Sequence, residues 1–233
     1  MNISFYCVNF KDTERRNKML ERFNNQNLTL NFVPPVYVDD ERLNTDFIHK
    51  NVCKAGKRIW SIMLQHLDSL QHFLDNTDHE FVIVCEDDIK ISKTFVKELH
   101  LALYHYLDLK LDVLLLGYLL DRKLEENEGD FKLLRKTENN FRFHDFPYHL
   151  WGSQMYLMNR KHAKFLLEKY TVEYAMADLK RPYNPDWTLT KDGKKAIIYP
   201  MLALEEGVTK TDDEGQNQFH ARCLAVNDSD KYN

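Results

Sequence analysis

Phe81-Val82-Ile83-Val84-Cys85-Glu86-Asp87-Asp88 is the stretch on which the reading of this chain turns. Its first five residues are apolar, mostly β-branched and too short for a helix, the pattern of a strand buried on both faces. The last three are carboxylates. Like charges this close raise one another's pKa unless a cation shares the site. A divalent metal would relieve the repulsion, and ligation by oxygen alone favours Mg2+ or Mn2+ over zinc or copper. A metal held there would in turn hold a diphosphate. The other reading is a strand that runs into a solvated acidic turn, and position alone leaves both open.

Around this stretch, strands and helices alternate. Ile3 to Phe10 reads as a strand, with Asp12 or Thr13 capping a charged helix from about Glu14 to Asn24. Leu28 to Val38 is extended, since Pro34-Pro35 forbids helix, and the polar residues 39–54 read as a loop. Lys57 to Leu74 carries Ile59, Ile62, Met63, Leu67, Leu70 and Phe73 at helical spacing. Beyond the carboxylates come a helix marked by Phe95, Leu99, Leu103 and Leu107, then a buried strand, Val113 to Leu116. An acidic loop over 121–130 precedes a hairpin of Phe131 to Arg135 and Phe141 to Phe143. Gln154 to Met158 is a strand, Lys161 to Tyr170 a helix, and Ile197 to Tyr199 a last short strand. The alternation predicts an α/β sandwich on a mostly parallel sheet. Ligands of such sheets bind beyond the carboxyl ends of the strands, where Glu86 to Asp88 would stand.

Composition bounds the function. The 233 residues suffice for one large α/β domain, here residues 1–204, followed by a polar tail, 205–233, expected to be mobile or to close over the site. With 43% hydrophobic and 29% charged residues the chain is globular, and a net charge of -4 supplies no global field for nucleic acid. No charged leader or apolar h-region precedes Ile3, and no apolar run approaches ~20 residues, so the expectation is a soluble, cytoplasmic protein without a membrane span. Cys7, Cys53, Cys85 and Cys223 are scattered, as buried reduced thiols are. Neither glycine-rich nucleotide cradle is present, and the chain holds only 7 glycines, so any bound diphosphate must be neutralised by a metal and by Lys or Arg. His66 and His72 lie on a predicted helix and suit surface or satisfied core positions as well as catalysis.

Four segments carry a resemblance. They are V-N-F-K-D-T-E-R-R-N-K-M from Val8, W-S-I-M-L-Q-H-L from Trp60 running on to E-F-V-I-V-C-E-D-D-I, W-G-S-Q-M-Y-L-M-N-R-K-H-A-K-F-L-L from Trp151, and N-P-D-W-T-L from Asn184. In that order they resemble glycosyltransferase family 25, which includes lipopolysaccharide and procollagen galactosyltransferases. The resemblance implies a GT-A fold, a UDP-sugar donor, a divalent metal (commonly manganese), inversion at the anomeric carbon, and a hydroxyl acceptor on a glycan or protein. It implies roles as well. Asp88 would ligate the metal, Glu86 would orient a metal-bound water, and Asp87 would face the donor's ribose or sugar. Asp186 is the candidate base, with Asp178 as competitor. Arg15 and Arg16 would contact the nucleotide, or else are solubilising charges. Trp151, Gly152 and Ser153 would line the donor sugar, or else Gly152 serves close packing. His220 would be a third metal ligand, unless the tail is disordered. Galactose heads the donors by family analogy alone, with glucose, N-acetylglucosamine and xylose open. A metal-dependent hydrolase of nucleotide-diphosphate sugars and a non-catalytic binding protein of the same fold are the rival readings.

Overall fold

The computed structural model describes residues 2–126, 128–207 and 213–233. In chain order its elements are β1 (Ile3–Val8), α1 (Thr13–Asn24), β2 (Leu30–Phe32), α2 (Asp46–Asn51), α3 (Lys54–Asn76), β3 (Phe81–Glu86), β4 (Ile89–Ile91), α4 (Phe95–Asp108), β5 (Val113–Leu119), β6 (Leu133–Lys136), β7 (Arg142–Asp145), β8 (Trp151–Asn159), α5 (Arg160–Lys169), α6 (Val172–Ala177), β9 (Lys195–Tyr199), β10 (Ala203–Glu205) and α7 (Glu214–Ala225). An eight-stranded sheet runs in the order β2-β1-β3-β8-β5-β9-β7-β6, and β4 pairs with β10 in a small second sheet. β1, β2 and β3 are mutually parallel, as are β5 and β9, while β8 and β7 run against their neighbours. Six of the eight strands therefore point one way, the mostly parallel α/β sandwich that the alternation predicts.

Both faces of the sheet are covered, which is why β3 reads as an unbroken apolar run rather than an alternating one. Tyr6, Val82, Val84, Leu115, Tyr156 and Ile197 pack on one face with Met63, Leu67, Leu70 and Phe73 of α3. Their chain neighbours Phe5, Cys7, Ile83, Cys85, Leu114, Leu157 and Ile198 pack on the other with Met19 and Phe23 of α1 and Phe95 and Leu99 of α4. Each fully buried side chain of this size contributes about 1.5–3 kcal/mol. This clamps the strand whose end carries the carboxylates between two packed layers.

The predicted hairpin is β6 and β7. Four features depart from the sequence reading. The stretch 39–54 is not all loop, since it holds α2 and the start of α3. Cys53 is exposed, and its Sγ accepts the Gly56 amide at 3.5 Å at the start of α3. Ile59 and Ile62, expected in the buried stripe, are 45% and 39% exposed, because the helix turns them toward a cleft and Met63 toward the core. Finally, of the two courses expected for the tail, mobility or closing over the site, the end of the chain departs from the first, being drawn into structure. Its residues 208–212 lie outside the described residues, but α7 follows with Cys223 buried. The chain then returns to β4: Tyr232 Oη donates to the Met201 carbonyl at 2.7 Å, and the Asn233 amide donates to that of Ile91 at 2.9 Å. A polar helix with few apolar anchors has a weak sequence signal, and here tertiary contacts hold it.

Candidate active site

The ends of β1 and β3 and the start of β8 meet on one edge of the sheet. Because β8 runs antiparallel, its first residues stand beside the last residues of β3. The Asn9 side chain, just past β1, donates to Asp87 Oδ2 at 2.6 Å and to the Asp12 carbonyl at 3.0 Å. Asp12 caps α1 by accepting the Arg15 amide at 3.1 Å. That cap sets the first turn so that Arg15 reaches back to Asp87 Oδ1 at 3.0 Å and Asp88 Oδ2 at 3.1 Å. On the far side, Ser153 Oγ donates to Glu86 Oε1 at 2.6 Å, and the Gly152 amide donates to Asp186 Oδ1 at 2.9 Å. Asp186 is thus brought beside Glu86, although a hundred residues separate them in the chain.

A cavity of about 660 Å³ opens at this edge. Its walls include Glu86, Asp87, Asp88 and Arg15, the apolar Phe10, Ile59 and Ile62, and Arg58, Gln65 and Gln154. Glu205, Gln216 and His220 close the side formed by β10 and α7. The Glu206 amide donates to the Asp88 carbonyl at 2.7 Å, which fixes the segment carrying Glu205 against the motif. Arg22 ties the same segment down through Glu206 and donates to the Ile89 carbonyl at 2.8 Å. His220 Nδ1 lies 2.5 Å from Glu205 Oε2.

The electrostatics are those of crowded acid. Burial, then the charges of Asp88 and Asp186, push the Glu86 carboxyl well up, against the Ser153 hydrogen bond. Burial and Glu205 raise Asp88 to about 6, with Arg15 opposing. Burial raises Asp186, while Ser153 and the Gly152 amide pull it back. The hydrogen bond to Glu205 raises His220. One oxygen of the motif, Asp88 Oδ1, is buried with no hydrogen-bond partner.

The sequence profile of glycosyltransferase family 25 (LPS biosynthesis protein) matches residues 2–179. The chain belongs to glycosyltransferase family 25. The matched span takes in α1, the carboxylate strand and all of β8. Among curated proteins no match to this family 25 glycosyltransferase is found. Among solved structures it is similar to a protein from STIV, at 14% identity and a TM-score of 0.42, over 91% of this chain and 96% of that one. It is also similar to the 4-diphosphocytidyl-2C-methyl-D-erythritol synthase of Anaerococcus prevotii (14% identity, TM-score 0.41, 95% and 81% covered). HddC of Yersinia pseudotuberculosis is a third likeness (11% identity, TM-score 0.36, 97% and 80% covered).

In this family 25 glycosyltransferase the residues singled out from the sequence do not all converge. Glu86, Asp87, Asp88, Arg15 and His220 line the cavity, and Ser153, Gly152 and Asp186 adjoin it through Glu86. Arg16 does not face it: the guanidinium lies over the Phe32 ring at 3.9 Å. Consecutive helical residues point about 100° apart, so α1 presents only one of the two arginines to the site. Trp151 is 46% exposed and meets the Trp187 ring instead of the cavity. Gly152 serves close packing, since a Cβ there would lie 2.0 Å from Leu115 Cδ2. Asp178 caps a turn at the Lys180 amide and pairs with Arg181 on the surface. His66 is a buried partner of Tyr156, and His72 bonds Tyr6 from the surface, each at 2.9 Å. Asn9, Phe10, Arg58 and Glu205 belong to the site without having been singled out. Asn9 and Phe10 directly follow β1 and were legible by the strand-end rule, whereas nothing in Leu204-Glu205-Glu206 marks Glu205.

Proposed function

We propose that this glycosyltransferase moves a sugar from a UDP-sugar to a hydroxyl acceptor in a metal-dependent, inverting reaction, with galactose first among the donors by family analogy. The observation that carries the reading is the carboxylate-rich cavity with the buried, unpartnered Asp88 Oδ1 beside Glu86 and Glu205. An orphaned carboxylate oxygen in crowded acid is a place where a cation would relieve both the repulsion and the unmet partner. Among the described residues no group of three His, Cys, Asp or Glu side chains converges as a ready-made metal cage. Mg2+ is commonly held by only one or two carboxylates, with water and phosphate oxygens completing its shell, and the proposed ion would bind in that way. Asp88 would hold the ion, with Glu86 and the Glu205–His220 pair around it. Bound there, it would neutralise charge that develops on the departing diphosphate.

The rest is work for the chain's own side chains. Phe10, Ile59 and Ile62 form an apolar wall suited to the uracil ring, and Arg15 and Arg58 are the cations within reach of the diphosphate. In the transfer step the acceptor oxygen bonds the anomeric carbon from the face opposite the diphosphate. The bond from that carbon to the phosphate oxygen breaks, and its electron pair leaves with UDP. The acceptor's proton passes to Asp186. Its raised pKa makes it a stronger base than an ordinary carboxylate.

The experiment is UDP release from a set of UDP-sugars with manganese, run with and without candidate acceptors. Acceptor-dependent release that chelation abolishes is the expected result. Release with free sugar as the only product would replace transfer by hydrolysis, and no release from any UDP-sugar would overturn the donor assignment.

A further inference from the structure

Three aromatic rings stand together beside Asp186, outside the donor cavity. Tyr148 and Trp187 have ring centroids 5.1 Å apart, and Trp151 and Trp187 6.1 Å apart. The hydrogen bond from the Gly152 amide to Asp186 brings them together, because Trp151 precedes one partner and Trp187 follows the other. Tyr148 is 71% exposed and Trp151 46%, so the rings are not core. Nor are they loose. The Lys191 ammonium donates to the carbonyls of Pro147 at 2.8 Å and Leu150 at 2.6 Å, and lies 5.1 Å from the Trp187 ring centroid. One lysine therefore pins both ends of the 147–150 loop beneath the rings.

A cluster of large rings held rigid and open to solvent marks a binding surface. From this placement we infer that Tyr148, Trp151 and Trp187 form the acceptor subsite, and that the acceptor is a sugar ring rather than a side chain of a protein. The inference deepens the proposed transfer reaction and rests on Asp186 as its base. Flat π-faces match the C–H face of a pyranose, while the Tyr hydroxyl and Trp N–H groups can reach its rim of hydroxyls. Such a ring, seated against Trp151 and Trp187, has its hydroxyls beside the carboxylate that joins their neighbours. A fixed platform also loses little freedom on binding, and the Lys191 clamp supplies that rigidity.

The test is binding, read apart from turnover. The full chain is titrated with methyl glucoside, galactoside, xyloside and N-acetylglucosaminide and with lactose, glycerol serving as the polyol control, while tryptophan emission is followed. At least one pyranoside is expected to give a saturable change that glycerol does not. Tyr148→Ala and Trp151→Ala should each weaken it by about ten-fold, the order expected for one stacked ring. Tyr148→Ala should leave the affinity for UDP unchanged, which shows that the variant is folded. Pyranosides that leave the emission unmoved, or that bind Tyr148→Ala as they bind the wild type, would overturn the subsite even in an enzyme that releases UDP. Pyranosides that still titrate the rings of a protein inert toward every UDP-sugar would leave the subsite standing and remove the transfer reading. Saturable quenching by a hydroxyl-bearing peptide, with none by the sugars, would assign the surface to a protein acceptor instead.

Discussion

Asp88 and Asp186 are both acidic, both half-buried at the same edge and both raised in pKa, yet the proposed reaction gives them different tasks. Asp88 keeps an oxygen without a partner, whereas Asp186 is oriented by a backbone amide. Asp88→Asn preserves shape and removes the charge a cation needs. The manganese-dependent part of UDP affinity, measured by calorimetry, should vanish while the fold persists. Equal manganese-dependent affinity in mutant and wild type would remove Asp88 from the metal site. Asp186→Asn can still accept the Gly152 amide, so donor binding should hold while transfer drops by about 10²–10⁴-fold, the usual worth of a general base. Asp178→Asn is the control. Its carboxylate pairs with Arg181 at the surface, and the variant should transfer at close to the wild-type rate. If Asp178→Asn were the inactive one, the two roles would be exchanged.

At the scale of elements, β8 does the most to assemble the site. It lies between β3 and β5, and Gly152 lets its first turn of chain approach Leu115 and Phe146. Gly152→Ala should destabilise the protein by about 1–3 kcal/mol through overpacking, read as a lowered denaturant midpoint. An unchanged midpoint would mean that Leu115 can move aside. The strands β3 and β8 and the helix α3 were readable from sequence because burial on both sheet faces and a helical stripe leave periodic marks. Element pattern marked the site only where residues terminate such elements, and Arg15, Asp186 and His220 were named on other grounds. Glu86 to Asp88 end a strand and Gly152-Ser153 begin one, so their neighbourhood followed from the topology. Glu205 sits on a three-residue strand paired with β4, and His220 on a helix held by tertiary contacts, so neither had a local pattern to announce it. Ile59 and Ile62 misled for the opposite reason. They continue the apolar period of α3 past the core and into the cleft.

Over the whole molecule, buried imidazoles link stability to pH. Burial lowers His66 to about 3, and His105, His144 and His162 shift the same way. The unfolded chain binds protons at these groups near pH ~6.5 while the folded protein does not. The contribution of His66 is therefore complete above about 6.5 and is lost as the pH falls toward 3, by up to ~1.4 kcal/mol per pH unit, and the other three act in the same sense. The raised carboxyls of Glu86, Asp88 and Asp186 and the raised His220 act in the opposite sense, since there the folded state holds the proton more tightly. A difference measurement isolates one group. Urea melts of wild type and His66→Gln between about pH 6.5 and about pH 4.5 should show a shallower acid loss in the variant. Parallel slopes would mean that His66 is not buried in its neutral form.

The place of β8 has a consequence for how the chain comes into being. Sheet order is not chain order: β3 and β5 are made first, and the strand that joins them is made later. Until Trp151 to Asn159 have been synthesised, the N–H and C=O groups along one edge each of β3 and β5 lack the strand that pairs with them. Unpaired edges of apolar strands are templates for wrong partners, and pairing across long sequence separations is slow. A ribosome-bound fragment ending before Trp151 should accordingly be sticky and devoid of any donor site, with folding and the arrival of Ser153 at Glu86 coinciding in one late event.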